Sequence, residues 1–150
     1  MIHALQQARE DLAAWTEGLS DAGLWAAPLA GIAPVAFHMR HIAGSVERLI
    51  TYLRGEQLSE QQLAEIKREH EPSASREQLL AALENSFELA RSVVSAIDPR
   101  TWYDARTVGR KRLPTTVGGL VTHIAEHTQR HVGEAIITVK LVIAFKERAR

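Results

Sequence analysis

Cysteine is absent from this chain of 150 residues. Without a thiol, the protein cannot form disulfides, supply a thiolate nucleophile or build a cysteine zinc site. Any metal that it binds must therefore be held by nitrogen and oxygen ligands.

The chain also lacks an excess of charge and a long apolar run. Lys and Arg number 18, as do Asp and Glu, so the balance favours neither nucleic acid nor a membrane surface as partner. The most apolar run, AIITVKLVIAF, is interrupted by Lys140 and is shorter than the roughly 20 residues that span a bilayer. The first residues, MIHALQQAREDLAAW, lack the basic start and apolar core of a signal peptide, so we expect a cytoplasmic location.

The spacing of apolar residues predicts helices. We expect one domain over residues 1–150, with amphipathic helices over about residues 2–19, 34–54, 75–98 and 115–145. Ser75 and Gln78 form a capping box at the start of the third helix. A short, weakly packed helix over about residues 59–69 and a small hairpin or extended loop before the last helix complete the prediction. The fold class is therefore all-α, a four-helix bundle in which sites form between facing helices.

The most informative stretch is HIAEHTQRH in the last helix, where His123, His127 and His131 recur every four residues. At about 100° per residue, each ring lies within about 40° of the previous one. By periodicity this face is buried. The same face carries four further side chains: Leu120, Thr138, Val142 and Phe145.

A buried row of histidines has two explanations. They are either hydrogen-bonded core residues or metal ligands, and an unmet buried polar group costs about 1–3 kcal/mol. We favour a divalent transition metal, because neutral imidazole is a common ligand for such ions. A further ligand would come from the second helix, where periodicity makes His38 more central than His41. His70, within a charged segment, is expected on the surface.

The runs HIAGSVER and HIAEHTQRHVGEA resemble the two histidine motifs of the DinB-like superfamily, which includes the YfiT-type metal-dependent hydrolases. The resemblance extends over essentially the whole chain and implies a metal held by His41, His127 and His131. Glu134 stands where glutamine is usual, and His38 and His123 are additional histidines. The resemblance favours His41, with His38 or His123 as the alternative ligand, and His123 is otherwise expected to line the site.

The resemblance implies a metal-dependent enzyme that acts on a small-molecule substrate. Three histidine ligands leave one coordination position open, as in catalytic sites. Zinc or nickel is favoured as the metal, and iron or manganese also suits histidine nitrogen. Relatives include thiol-dependent S-transferases and amide-type hydrolases.

The two reaction types assign different residues. In thiol transfer, a low-molecular-weight thiol is the cofactor, and Arg106 and Arg110 would bind its acidic groups; a solvated basic hairpin is an equally good interpretation. In hydrolysis, Glu134 is a candidate base, although about 10 Å of helix rise separates it from His127. His123 is the candidate catalytic residue, as a proton shuttle.

Two further expectations concern role and assembly. The alternative to an enzyme is a non-catalytic metal-binding stress-response module, in which the metal only stabilises the bundle or senses availability. We also expect a homodimer, formed through the first helix with Trp15 or through the exposed side of the last helix.

Overall fold

The computed structural model describes residues 1–148 and confirms the all-α fold class. Four long helices form the bundle: α1 (Ile2–Trp15), α3 (Val35–Leu53), α5 (Arg76–Ser95) and α6 (Val117–Arg148). Two short helices, α2 (Asp21–Leu24) and α4 (Glu60–Arg68), lie in the connections. A 3₁₀ turn, Pro99–Thr101, precedes the antiparallel hairpin of β1 (Ala105–Val108) and β2 (Leu113–Thr116).

Local sequence signals set most helix ends. Ser59 with Gln62, and Ser75 with Gln78, form reciprocal capping boxes at the starts of α4 and α5. Pro34 was predicted in the first turn of α3 but is its N-cap residue, so the helix begins one residue later, at Val35. Gly55, with a φ of 82°, follows the end of α3 in the left-handed region that glycine adopts without strain.

One continuous apolar core lies between the four long helices. Helix α3 packs against α5 and α6, and also against α4 and β1. The hairpin adjoins the C-terminal half of α3, because Arg106 donates hydrogen bonds to the carbonyls of Leu53 and Ala105. Within residues 1–148, no helix combines the length and the apolar character that a bilayer crossing requires.

The buried stripe of α6 includes Leu120, Thr138 and Val142, as predicted, but it lies to one side of the histidine row. Ala135 marks its centre, and relative to that direction His131, His127 and His123 lie at about 40°, 80° and 120° around the axis. A spacing of four residues overshoots a full turn by about 40°, so the drift accumulates along the row. His123 therefore has a side chain that is 40% exposed, and Phe145 is exposed rather than buried. Along the row, the side chains become more buried from His123 to His131.

Candidate metal centre

Histidines from two facing helices meet in the bundle. One ring nitrogen from each of His41, His127 and His131 lies within 4.8 Å of the others. The Nε2 atoms of His41 and His127 are 3.1 Å apart. Two nitrogens that bind one zinc ion at about 2.0–2.1 Å are separated by about 2.9–3.4 Å, so this pair has the spacing of co-ligands. These three side chains could hold a metal ion.

A buried carboxylate orients His41. The Nδ1–H of His41 donates to Glu69 Oε2 at 2.7 Å, which leaves Nε2 with its lone pair facing His127. Glu69, the residue after α4, is only 5% exposed. Its Oε1 lies 2.9 Å from Arg48 Nη1, within salt-bridge distance although the geometry does not give a hydrogen bond. A histidine held by a carboxylate in this way is typical of metal sites.

The electrostatics of Glu69 favour its charged form. Burial raises the pKa of Glu69, but the hydrogen bond from His41 and the charge of Arg48 outweigh burial and hold the pKa below its usual value. Glu69 is therefore a carboxylate at neutral pH, as the hydrogen bond to His41 requires.

His131 is held in the same way by its own helix. Glu134 Oε2 lies 2.7 Å from His131 Nδ1, one turn along α6. This contact leaves the Nε2 of His131 for the group with His41 and His127. The sequence suggested that Glu134 is too far from the metal, because about 10 Å of helix rise separates it from His127. Glu134 instead contacts His131, another candidate ligand, so this objection does not apply.

Burial keeps the imidazoles neutral, which is the state that binds metals. Desolvation, aided by neighbouring histidines, lowers the pKa of His127 to about 4, and desolvation also lowers the pKa of His131. Their lone pairs are therefore available at neutral pH without the loss of a proton.

His127 has a partner that competes with a metal. Arg130 Nη2 donates to His127 Nδ1 at 2.8 Å. Since a neutral imidazole carries one proton, the proton of His127 then lies on Nε2 and is donated to His41. A metal at His127 Nε2 requires the proton to move to Nδ1 and Arg130 to leave.

His38 is the more buried histidine of α3, as its periodicity predicts. Burial lowers its pKa to about 4. Its Nδ1 lies 3.2 Å from His131 Nδ1 and 3.4 Å from Glu134 Oε2. His38, His131 and Glu134 thus form a second group of potential ligands that shares His131 with the first. The carboxylate behind His41 favours the first group.

A cavity of about 570 Å³ opens beside the histidines. His38, His131 and Glu134 supply its polar side, and Phe37 and Ile137 are among its apolar lining. A small molecule with an apolar body could place a polar group next to His131.

The remaining predicted site residues lie elsewhere. His123 is outside both ligand groups and contacts Glu126, with its Nδ1 2.7 Å from Oε1. The guanidinium of Arg106 donates to the backbone carbonyls of Leu53 and Ala105. Leu53, at the end of α3, is about 18 Å of helix rise from His41. Arg110 lines a different cavity, beside α3 and α4. His70 is exposed, as expected, and stacks on Phe37 with ring centroids 4.1 Å apart.

The bundle and its histidines define a class: a four-helix protein with a candidate metal centre between two facing helices. A family model described as the DinB superfamily matches residues 4–135, and the chain belongs to this superfamily. This confirms the family resemblance of the two histidine motifs.

A solved structure supports the fold. The crystal structure of a conserved protein from Enterococcus faecalis has a TM-score of 0.78 and 20% sequence identity to this chain, and the match covers 95% of each chain. At this identity the likeness concerns the fold alone. The comparison with curated proteins gave no match.

Proposed function

We propose that the protein is a metal-dependent enzyme that binds a divalent transition metal through His41, His127 and His131. The observation that carries this proposal is the convergence of the three rings, with Glu69 buried behind His41. Three histidine ligands leave a coordination position for a water or a substrate. Zinc and nickel are the favoured metals, with iron and manganese also suited.

The residues of the cavity favour hydrolysis. When bound, the metal lowers the pKa of a water or thiol in its open position. Glu134 lines the cavity and contacts His131, so it is placed to accept a proton from a substrate or water there. Phe37 and Ile137 hold the apolar part of the substrate, and His123 remains the candidate proton shuttle toward solvent.

Thiol transfer is the second candidate. Its supporting observation is the absence of cysteine, which means that a low-molecular-weight thiol would have to supply the nucleophile. Of the two arginines proposed to hold this cofactor, Arg106 already donates to carbonyls, and Arg110 lines a different cavity from His131, so only an extended cofactor would join Arg110 to the metal. A cytoplasmic location and a homodimer stay predictions.

Metal content tests the first part of the proposal. We would measure metal by elemental analysis in protein without a histidine tag, and in His41→Ala and His127→Ala, with His3→Ala as a control on the exposed side of α1. Near one equivalent is expected in wild type and control, with loss in both site variants. Retention in His41→Ala would move the ligand to His38. No metal, even after reloading, would mean that the histidines are structural.

Turnover tests the second part. Loaded protein would be assayed with ester and amide substrates, and with electrophiles in the presence of low-molecular-weight thiols. We expect His123→Gln to keep the metal and to lower the rate. Glu134→Gln should lower the rate even with metal in excess, and it should also weaken metal binding, because Glu134 holds His131. Glu126→Gln, which alters the contact of His123, serves for comparison. Metal-dependent melting with no turnover of any probe would support the non-catalytic stress-response module instead.

A further inference from the structure

A second cavity, separate from that of His38 and His131, lies between α3, α4 and the hairpin. Its volume is about 380 Å³, and Leu49, Leu58, Leu63 and Ile66 line much of it. This volume lies within the range of sites for small organic ligands. The apolar lining favours a hydrocarbon or aromatic body over a sugar or a free ion.

Two hydroxyl side chains line this cavity. They belong to Ser45 and Tyr52, residues that are 7% and 8% exposed. A hydroxyl both donates and accepts hydrogen bonds. The cavity therefore offers polar partners beside its apolar lining.

The charge around the cavity is positive. Arg48 and Arg110 both line it, but Arg48 already pairs with the buried carboxylate of Glu69. Arg110 is exposed and has no carboxylate within ion-pair distance among residues 1–148. It lies in the turn of the hairpin, where Lys111 and Arg112 follow it and residues 105–116 contain no Asp or Glu. The cation of Arg110 is thus available for an anionic ligand.

We propose that this cavity binds a small amphipathic carboxylate. Its apolar body packs against Leu49, Leu63 and Ile66, and its carboxylate pairs with Arg110. The cavity lies one turn along α3 from His41, on the Arg48 side of the Glu69 carboxylate, so binding does not require a metal at the histidines.

The test compares an acid with its neutral amide. We would titrate the purified protein with 4-phenylbutyrate and with 4-phenylbutyramide, by calorimetry and by methyl chemical shifts of Leu49 and Leu63. The acid is expected to bind about tenfold more tightly, because a charge-assisted hydrogen bond is stronger than a neutral one. Equal affinities, or no binding of either compound, would overturn the proposal.

Three variants locate the binding. Arg110→Gln is expected to remove the preference for the acid, while Lys111→Gln, the neighbouring residue that does not line the cavity, keeps it. Equal losses in the two variants would mean unspecific attraction to the basic turn and would refute a built site. His127→Ala is expected to bind the acid as wild type does, whatever its metal content; a loss of binding there would contradict a site that is independent of the histidines.

Discussion

At the scale of single residues, Glu69 determines how His41 is presented. Its carboxylate accepts the Nδ1–H of His41 and stays ionised beside Arg48. We predict that Glu69→Gln weakens metal binding about 10- to 100-fold, the usual cost of losing such a partner. Glu71→Gln, on the exposed neighbouring segment, is the control. Chelator competition measures both affinities, and an unchanged value in Glu69→Gln would contradict the role of the carboxylate.

Periodicity could not reveal Glu69. The charged residues of segment 56–72 predict a solvated face, and a single glutamate at the end of a short helix has no periodicity of its own. Its burial depends on two residues of α3, His41 and Arg48, which are 28 and 21 positions away in the sequence. The preference for His41 over the more central His38 likewise came from the family motif, because the helix period alone favours His38.

Also at the scale of single residues, Arg130 is expected to weaken metal binding. It donates to His127 Nδ1 and places a positive charge beside the candidate site. We predict that Arg130→Met binds zinc about tenfold more tightly, because no charge-assisted hydrogen bond has to be broken first. Arg91→Met, on the exposed face of α5, is the control. Weaker zinc binding in Arg130→Met, measured by calorimetry, would mean instead that the arginine supports His127 as a ligand.

At the scale of elements, the sequence predicted the four long helices and the capping box of Ser75 and Gln78, because each depends on residues within one or two turns. The capping box of Ser59 and Gln62 has the same spacing but was not predicted. The β-branched residues around Gly109 are compatible with either a small hairpin or an extended loop, and the structure has the hairpin. Helix α2 was not predicted, since a single turn of four residues has no measurable period.

The buried face of α6 was predicted correctly at Leu120, Thr138 and Val142 but wrongly at His123 and Phe145. A spacing of four residues exceeds one helical turn, and the accumulated rotation brings His123 to the surface.

The start of α6 depends on its contact with Trp102. Trp102 accepts a hydrogen bond from the amide of Gly118, and a Cβ on Gly118 would overlap the indole ring. We predict that Gly118→Ala lowers the free energy of unfolding by about 1–3 kcal/mol, as overpacking does. Gly133 has open space around it, so Gly133→Ala should instead raise stability by about 0.5–1 kcal/mol. Urea unfolding measures both, and equal effects would refute the packing argument.

At the scale of the whole molecule, burial of neutral histidines links folding to pH. In metal-free protein the pKa of His38 is about 4, against 6.5 in the unfolded chain, chiefly because of desolvation. Between these values the unfolded chain binds a proton that the folded chain does not, so stability rises with pH. His127, also lowered to about 4, acts in the same direction. The stabilisation is complete above about pH 6.5 and is lost as the pH falls toward 4.

We therefore predict that the urea midpoint of the protein in EDTA rises from pH 5 to pH 7, where the carboxylates are already ionised. Each histidine contributes at most about 1.4 kcal/mol per pH unit. His38→Gln should reduce the slope whatever its effect on absolute stability, because the glutamine has no proton to gain on unfolding. His3→Gln, on an exposed position of α1, should keep the slope of wild type. A flat profile in wild type, or the same slope in His38→Gln, would show that His38 is not held neutral by the fold.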